Sequence, residues 1–225
     1  MHTELHVRAV KGRSPRIRAS GGIAVRQTGV DTLHMISSAA TPLGGDLIEI
    51  NVEVGPGACL NLHSVAAAMA LPGPHEPRSE LRWHIAVADG ARLVIDPQPT
   101  IVAAHAVHHS ETAIDVAESG AVRMAERVQI GRSSEDLGRW TGRVRADVGG
   151  TPAVRHQVSI GRPEHDELGA PAVLFSEFRY PDERPDAVHP DAVGARLGLA
   201  AGGSLTTVLA RTLNDAERWA GDLDG

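Results

Sequence analysis

A glycine-alanine step recurs along the chain at nearly constant spacing, each time inside a strand-like run. The copies are Gly57-Ala58 in NVEVGPGACLNL, Gly90-Ala91 in HIAVADGARLVI and Gly120-Ala121 in AIDVAESGAVRM, and Gly149-Gly150 is a looser fourth. Counted from Gly57 to Gly90, Gly120 and Gly150, the steps are 33, 30 and 30 positions apart. A period of this size is typical of stacked copies of one small unit, although turn glycines also occur at intervals in any all-β protein. The spacing therefore favours a scaffold of strands over a nucleotide-binding unit.

Alternation of apolar and polar residues predicts the strands between these steps. In the run LIEINVEV, which follows the turn TPLGGD, the apolar residues Ile48, Ile50, Val52 and Val54 share one face. Such period-two alternation indicates a half-buried strand. Similar runs, separated by Gly, Pro, Asp and Ser, cover Leu5–Val10, Gly22–Val25, Cys59–Val65, Leu81–Val87, Ala91–Ile95, Thr112–Val116, Val122–Ile130 and Val154–Ile160.

Composition narrows the class of protein. A chain of 225 residues is long enough for one large β domain or two small ones. The net charge of -6 argues against a nucleic-acid partner, which would favour a basic face. The single cysteine, Cys59, excludes an intrachain disulfide. The N-terminus lacks the apolar core of a signal peptide, and the longest apolar run, Val65–Leu71, is too short to span a bilayer. These features predict a cytoplasmic protein with no membrane partner.

The C-terminal third changes character. Residues 163–186 are polar and proline-rich, which indicates a connecting segment with one strand at Val173–Phe178. The run HPDAVGARLGLAAG then predicts a helix that begins near Pro190 and ends at Gly202-Gly203. A second, amphipathic helix is predicted over Ser204–Leu223, either to cap the open end of the β stack or to dock on a helical partner. The expected layout is a single domain, 1–225, with a β body at 1–162, a connection at 163–186 and a helical tail at 187–225.

The densest group of histidines lies in AAHAVHHSET and comprises His105, His108 and His109, with Glu111 nearby. Imidazole and carboxylate together suit nickel or zinc. On a strand, however, His105 and His109 share one face while His108 points away. Convergence on one ion would therefore need a bulge or a turn. A stable metal site, a transient metal contact and a solvated surface all remain open at this point.

Two carboxylates have unusual surroundings. Asp46 follows two glycines at a turn into a buried strand, where it either caps the turn or lines an internal polar path. Glu126 lies in the mostly apolar strand AERVQIGR, where a carboxylate is costly unless it is paired or faces water. Arg127 and Arg132 are its candidate partners. The sequence contains neither Gly-x-Ser-x-Gly nor a phosphate loop, and one thiol cannot make a cysteine metal site, which argues against an enzyme.

An ordered set of motifs resembles the UreD family of urease accessory proteins, also called UreH. TPLGGDLIEINVEVGPGACLNL, GARLVIDPQPTI and AERVQIGRSSED follow one another as they do in that family. The matching elements are Gly45-Asp46 before a long strand, the Gly57-Ala58 step, Leu93 through Pro97 and Pro99, and Gly131-Arg132 at a strand end. The resemblance is good over residues 40–160 and weaker to the end, where LARTLND looks like the closing helix of the family.

This resemblance implies a fold and a role. The implied fold is mainly β, a two-layered β-helicoid or solenoid-like body with a short α-helical C-terminal part. The implied role is non-enzymatic: a metallochaperone scaffold that binds UreF directly and UreG through the complex, docks on apo-urease and assists nickel insertion. No tightly bound cofactor is implied, only transient Ni²⁺ in an internal tunnel. By resemblance, Asp46 and Glu126 suit this nickel path, and Glu135 is a weaker candidate.

The chain departs from the family pattern at three points. The family usually carries a Thr-x-Gln-type pair after Gly57-Ala58, and here His63 and Ser64 stand as substitutes. The family's Gly-Glu beyond Arg132 is replaced by Ser133-Ser134-Glu135-Asp136, and the chain is shorter than most members. Two alternatives remain: a metal-dependent enzyme on a β-solenoid or barrel that uses the histidine cluster with Glu111, and a structural β-solenoid module unrelated to urease.

Overall fold

The computed structural model describes residues 1–161 and 170–225, in which nearly all regular structure is β-strand. The strands, numbered in chain order, form two sheets. Sheet A runs in the spatial order β14 (Thr151–Gly161), β13 (Arg139–Val148), β11 (Val107–Val116), β8 (Arg78–Val87), β5 (Leu47–Val54), β1 (His2–Val10) and β2 (Arg13–Ser20).

Sheet B is the larger sheet. Its main order is β16 (Ala187–Val188), β17 (Val193–Gly198), β18 (Ser204–Ala210), β15 (Val173–Tyr180), β12 (Ala121–Ile130), β9 (Arg92–Asp96), β6 (Cys59–Ser64), β4 (Thr32–Ser37) and β3 (Ile23–Gln27). Two short strands lie off this path: β10 (Thr100–Val102) pairs with β12 and with β7 (Ala68–Ala70). One helix, α1 (Leu213–Asp224), follows β18 in the described part of the chain.

The two sheets are built by a chain that passes repeatedly from one layer to the other. Strands β5, β8 and β11 are parallel neighbours in sheet A, and each is followed by its counterpart β6, β9 or β12 in sheet B. Parallel strands need a long crossover, usually a helix. Here a strand of the opposite sheet supplies it, so each coil adds one rung to both layers. The expected two-layered, solenoid-like β body is therefore confirmed.

The turns between the layers correspond to the sequence repeat, with one displacement. In the first two turns, the amide of Ala58 donates to Gly55 O and the amide of Ala91 donates to Ala88 O. In the third turn, Gly120 N donates to Ala117 O, so Ser119-Gly120 occupies the place of Gly57-Ala58. The structural spacings, from Gly57 to Gly90 to Ser119, are therefore 33 and 29 residues. The Ser119 hydroxyl bonds Asp89 and accepts the Gly90 amide, which ties adjacent turns together.

The fourth copy of the repeat does something different. Gly149 and Gly150 have φ values of +55° and +79°, and two consecutive positive φ angles are the requirement of a tight hairpin turn. The chain therefore folds back, and β14 pairs antiparallel with β13 inside sheet A. This hairpin ends the stack of crossovers, so three of the four sequence copies are structural repeats.

The main core lies between the layers. The predicted alternation of β5 is confirmed, because Ile48, Ile50, Val52 and Val54 are all buried. They pack with buried residues of both sheets, including Leu60 and Leu93 of sheet B. Burial of each such side chain contributes roughly 1.5–3 kcal/mol. The outer face of sheet A is charged instead. Residues of opposite charge lie opposite one another on the neighbouring strands β5, β8, β11 and β13: Glu49, Arg82, Glu111 and Arg143.

The predicted helical tail is wrong for residues 187–210. The structure has β16, β17 and β18 there, and β18 lies between β15 and β17 in sheet B. The run SLTTVLA alternates between buried and half-buried residues at period two, as a strand does. In the sequence its apolar residues Leu205, Val208 and Leu209 also have the spacing of one helical face, which explains the wrong prediction. The helix is limited to Leu213–Asp224 and begins at Thr212, whose hydroxyl accepts the amide of Asp215.

Helix α1 covers the outer face of sheet B rather than the end of the stack. Its buried residues Ala216, Ala220 and Leu223 pack against Phe175 of β15 and Val208 of β18. The helix therefore covers two strands from the side and does not form the end cap that was one of the two alternatives for this segment. Part of sheet B is buried on both faces as a result. Among the described residues, no helix combines the length and the apolar character that crossing a membrane requires.

Candidate functional site

The interlayer space is polar at one end of the strands. Even-numbered residues of β11 face inward, and the first three of these are His108, Ser110 and Thr112, all buried. Ser79 of β8 lies beside His108 in the register and is also buried. Toward the turns, the inward positions become aliphatic, with Ile114 and Val116. A buried polar row on the inside of a sheet is costly unless it is hydrogen-bonded, which marks this end as the candidate site.

Sheet B has a gap opposite this polar row. Strand β9 pairs with β12 as far as Met124, and β10 resumes the pairing only at Val128. The intervening segment of β12, Ala125–Arg127, has no strand on that side, since the chain loops out at Pro97–Pro99. The same interruption occurs between β6 and β7. The gap gives access to the space between the layers.

A cavity of about 210 Å³ occupies this space. Its lining includes Ile50 and Trp83, and the titratable residues among the lining are His108, Glu126 and Arg127. Its mouth is formed by exposed residues: Ser37, Val65, Ala66, Ala67 and Gln98. Glu126 also lines a second, smaller void of about 10 Å³ together with Thr112 and Ser176, which is room for about one water molecule. The carboxylate therefore stands between two internal spaces.

Glu126 has one hydrogen-bond partner on the inner side, the hydroxyl of Ser110, which donates to Oε1 at 2.6 Å. Burial raises the pKa of Glu126 to about 6, and the Ser110 bond only partly opposes this. The expected pairing with Arg127 or Arg132 is wrong. Arg127 is the next residue along the strand and points outward, where it bonds Asp96 at 2.6 Å, and Arg132 pairs with Glu135.

His108 is buried beside the same cavity. Its Nδ1 lies 2.9 Å from the Ser79 hydroxyl, while Nε2 has no hydrogen-bond partner among the described residues. Burial, with a smaller effect of His109, lowers the pKa of His108 to about 4. The imidazole is therefore neutral near pH 7, which is the form that binds metal ions.

The other members of the predicted histidine cluster lie elsewhere. His105 precedes β11 in a turn, with φ of +65°. His109 and Glu111 lie on the outer face of sheet A, where Glu111 contacts Arg143 at 3.4 Å. Because His108 alone faces inward, the structure does not assemble the four residues into one ligand set.

Asp46 is a buried turn cap next to the cavity. Its Oδ2 accepts the Thr41 hydroxyl at 2.8 Å and the Leu43 amide at 2.9 Å, and its Oδ1 contacts the amino group of Met1. Burial alone would raise its pKa, but these hydrogen bonds outweigh it and lower the pKa. Thr41 lines the cavity, whereas Asp46 does not line it and contacts it only through Thr41. This geometry corresponds to the turn-capping alternative.

Of the three remaining candidate residues, Ser64 lines the cavity, whereas Glu135 and His63 lie outside it. Glu135 lies in the segment after β12, where Arg132 and the Ala104 amide lower the pKa of its carboxyl to about 2. It is not among the lining residues of the cavity. Ser64 lines the cavity and accepts the Gln98 amide. His63 lies on the outer face of β6, and its Nδ1 is 3.2 Å from Asp96 O.

Sequence reasoning missed Ser110, Thr112, Ser176 and Thr41 as parts of this site. A signal was present in β11, VHHSETAIDV. The residues on its inward face are polar in the first half of the strand and aliphatic in the second half. The partner strand β15 carries no such signal, since its alternation is hidden by burial of both faces.

Fold and site together define a β-stack scaffold with a polar internal cavity. Comparison with known proteins then gives the family. The model of the UreD urease accessory protein family matches residues 14–178, and the chain belongs to that family. It is 31% identical over 201 residues to urease accessory protein UreD 1 of Saccharopolyspora erythraea, covering 88% of this chain and 79% of the relative. It is 33% identical over 205 residues to UreD of Frankia alni, covering 80% of this chain and 68% of the relative. Membership supports a role in urease maturation.

Proposed function

We propose that the chain is a non-enzymatic metallochaperone scaffold that works with UreF and UreG to deliver nickel to apo-urease. In this role Ni²⁺ is the cargo, held only transiently inside the protein. The observation that carries the proposal is Glu126, a half-buried carboxylate that faces an internal cavity and has a hydroxyl as its inner partner. Family membership supports the connection with urease maturation.

The chemistry of the cavity suits a cation that must be released. The raised pKa of Glu126 means that its ionised form is poorly solvated in the folded protein. A divalent cation that enters the cavity would stabilise that ionised form, while the proton leaves. Neutral His108 lines the same cavity, and its Nε2 has no hydrogen-bond partner among the described residues. One carboxylate and one imidazole are fewer protein ligands than the three or four of stable metal sites, so the ion would stay exchangeable.

Asp46 supports this path indirectly. Its carboxylate holds Thr41 and Leu43 at the edge of the cavity. Replacing Asp46 with alanine would leave the buried Thr41 hydroxyl and the partly buried Leu43 amide without this acceptor, which costs roughly 1–3 kcal/mol for a buried group and less for a partly buried one. An effect of this substitution on urease would therefore mix instability with loss of the path. Glu126 is the better residue for a functional test.

The proposal is tested by reconstitution of urease maturation. The urease structural subunits and the other accessory proteins are expressed with and without this chain, and bound nickel and urea hydrolysis are measured together. Loss of both without the chain is the expected result. If urease without the chain contains normal nickel and is fully active, the proposed role is wrong.

A further inference from the structure

A pair of histidines lies on the outer face of sheet B, outside the cavity. His34 of β4 and His63 of β6 stand directly opposite each other in a parallel register. Their ring centres are 5.3 Å apart and the ring planes are inclined by 31°. Both side chains are half-buried, so the rings are accessible but restrained by the sheet.

The spacing of the two rings fits a shared metal ion. Two imidazoles that bind one ion at about 2.1 Å place their ring centres about 5 Å apart at the tetrahedral angle of Zn²⁺, and about 4.5 Å apart at the 90° angle of a square-planar or octahedral Ni²⁺ site. The observed 5.3 Å between His34 and His63 is close to the tetrahedral value and somewhat longer than the 90° value. Cross-strand neighbours in a parallel sheet hold this distance without any change of backbone.

Hydrogen bonds orient both rings. The Nδ1 of His63 contacts the carbonyl oxygen of Asp96 at 3.2 Å, and because a carbonyl only accepts, this nitrogen carries the proton. The lone pair is thereby placed on Nε2. The Nδ1 of His34 bonds the Thr28 hydroxyl at 2.8 Å. Neither Nε2 has a hydrogen-bond partner among the described residues. A metal-binding histidine has this arrangement, with the second nitrogen held by a carbonyl or a hydroxyl.

We propose that His34 and His63 form a surface site for a borderline divalent cation such as Ni²⁺, close to the mouth of the internal cavity. Met35 and Ser64, the next residues on each strand, both line that cavity. Imidazole nitrogen favours Ni²⁺, Cu²⁺ and Zn²⁺ over Mg²⁺ and Ca²⁺. Two protein ligands leave the other coordination positions to water or to a partner protein, so the ion can exchange. Metal binding by this pair does not depend on the proposed function. A role of the pair in loading nickel into the cavity does rest on the proposed function.

Another group of potential ligands has to be separated from this pair. His2, Glu4 and Glu49 lie on the outer face of sheet A with ligand atoms within 4.8 Å of one another. His2 already bonds Glu49 at 2.8 Å, and Arg82 lies 3.8 Å from the same carboxylate. That arginine competes with a cation, which makes this group the weaker of the two.

Nickel chloride is titrated into the tag-free 225-residue chain by calorimetry, with magnesium chloride as the hard-cation control. His34→Ala and His63→Ala are each expected to weaken nickel binding by about tenfold or more. His84→Ala is the matched control, since His84 is an exposed strand histidine with Asn51 and Ala113 across its register. It should bind nickel as the unmodified chain does. Far-UV circular dichroism checks that all variants are folded.

The proposed site is wrong if nickel binding is not measurable or is unchanged in both His34→Ala and His63→Ala. It is also wrong if only His2→Ala, which removes a ligand of the competing group on sheet A, loses binding. Zinc titration of the unmodified chain, followed by the imidazole ¹⁵N shifts, decides the matter even if a variant fails to fold. The Nε2 resonances of His34 and His63 must move, and unchanged shifts contradict the proposal. Normal urease activation without the chain would remove the maturation role but leave this binding result intact.

Discussion

Replacing Glu126 with glutamine is expected to stabilise the isolated chain at neutral pH and, in the same molecule, to lower nickel delivery to urease. The raised pKa of Glu126 means that the folded state binds this proton more tightly than the unfolded state. The associated stability is fully present below about pH 4.5 and is lost as pH rises through about 6. A rise from 4.5 to about 6 corresponds to about 2 kcal/mol. Glutamine removes that penalty and keeps an acceptor for Ser110.

The measurement is urea denaturation of both proteins between about pH 4.5 and pH 7.5. The advantage of Glu126→Gln should be small at the acidic end, grow through about pH 6 and then level off near 2 kcal/mol as an upper limit. Glu111→Gln is the matched control, because Glu111 is exposed on the outer face of the neighbouring sheet. Its effect should remain within about 0.5 kcal/mol at every pH.

Delivery is measured in the reconstituted system at limiting nickel. Loss of a cavity carboxylate should reduce urease nickel and activity by at least about tenfold, while Glu111→Gln leaves both unchanged. A variant that is more stable and less active separates a role in the nickel path from misfolding. Full urease activation by Glu126→Gln would exclude this carboxylate from the path.

The sequence predicted the β body well because its signals are local. Period-two alternation in β5, β8 and β12 reports directly which face is buried. The turn repeat was also visible, but its third copy is shifted by one residue, since Ser119 fills the structural place of a glycine. The tail was predicted less well. In β18 the choice between strand and helix is made by pairing with β15 and β17, which is tertiary information.

The candidate site was only half visible in the sequence for a related reason. Glu126 was identified because a carboxylate in an apolar strand is unusual. Its partner Ser110 is 16 residues away, on the opposite sheet, and local sequence pattern does not contain that pairing. The assignment of Arg127 as a partner failed because adjacent strand residues point to opposite faces. The pair formed by His34 and His63 depends in the same way on a parallel register set by the stack.

Substitution of Gly142 by alanine is expected to destabilise the chain by about 3 kcal/mol, the upper end of typical overpacking costs. A Cβ on Gly142 would lie 2.1 and 2.2 Å from two carbons of the Trp140 indole. Trp140 is only 2% exposed, so the ring has no solvent side to move toward. Gly142 has no unusual φ, so steric overlap accounts for the whole effect. Thermal or urea denaturation measures it.

Gly221→Ala is the matched control for Gly142→Ala. Gly221 lies in α1, and a Cβ at this position would have open space around it, with no atom within 4 Å. Glycine inside a helix costs roughly 0.5–1 kcal/mol relative to alanine. This control should therefore stabilise the chain. The opposite signs distinguish crowding at Trp140 from a general effect of replacing glycine.

A double-mutant cycle identifies the indole as the cause. Trp140→Leu alone leaves a void and should destabilise the chain, but it also makes room for a methyl group at position 142. The double variant should therefore be more stable than the sum of the two single effects by at least about 1 kcal/mol. Because Trp140 is the register neighbour of His108, a displaced indole would also disturb the polar end of the cavity. If the two single effects simply add, the destabilisation by Gly142→Ala comes from the backbone of β13 and not from overlap with the Trp140 ring.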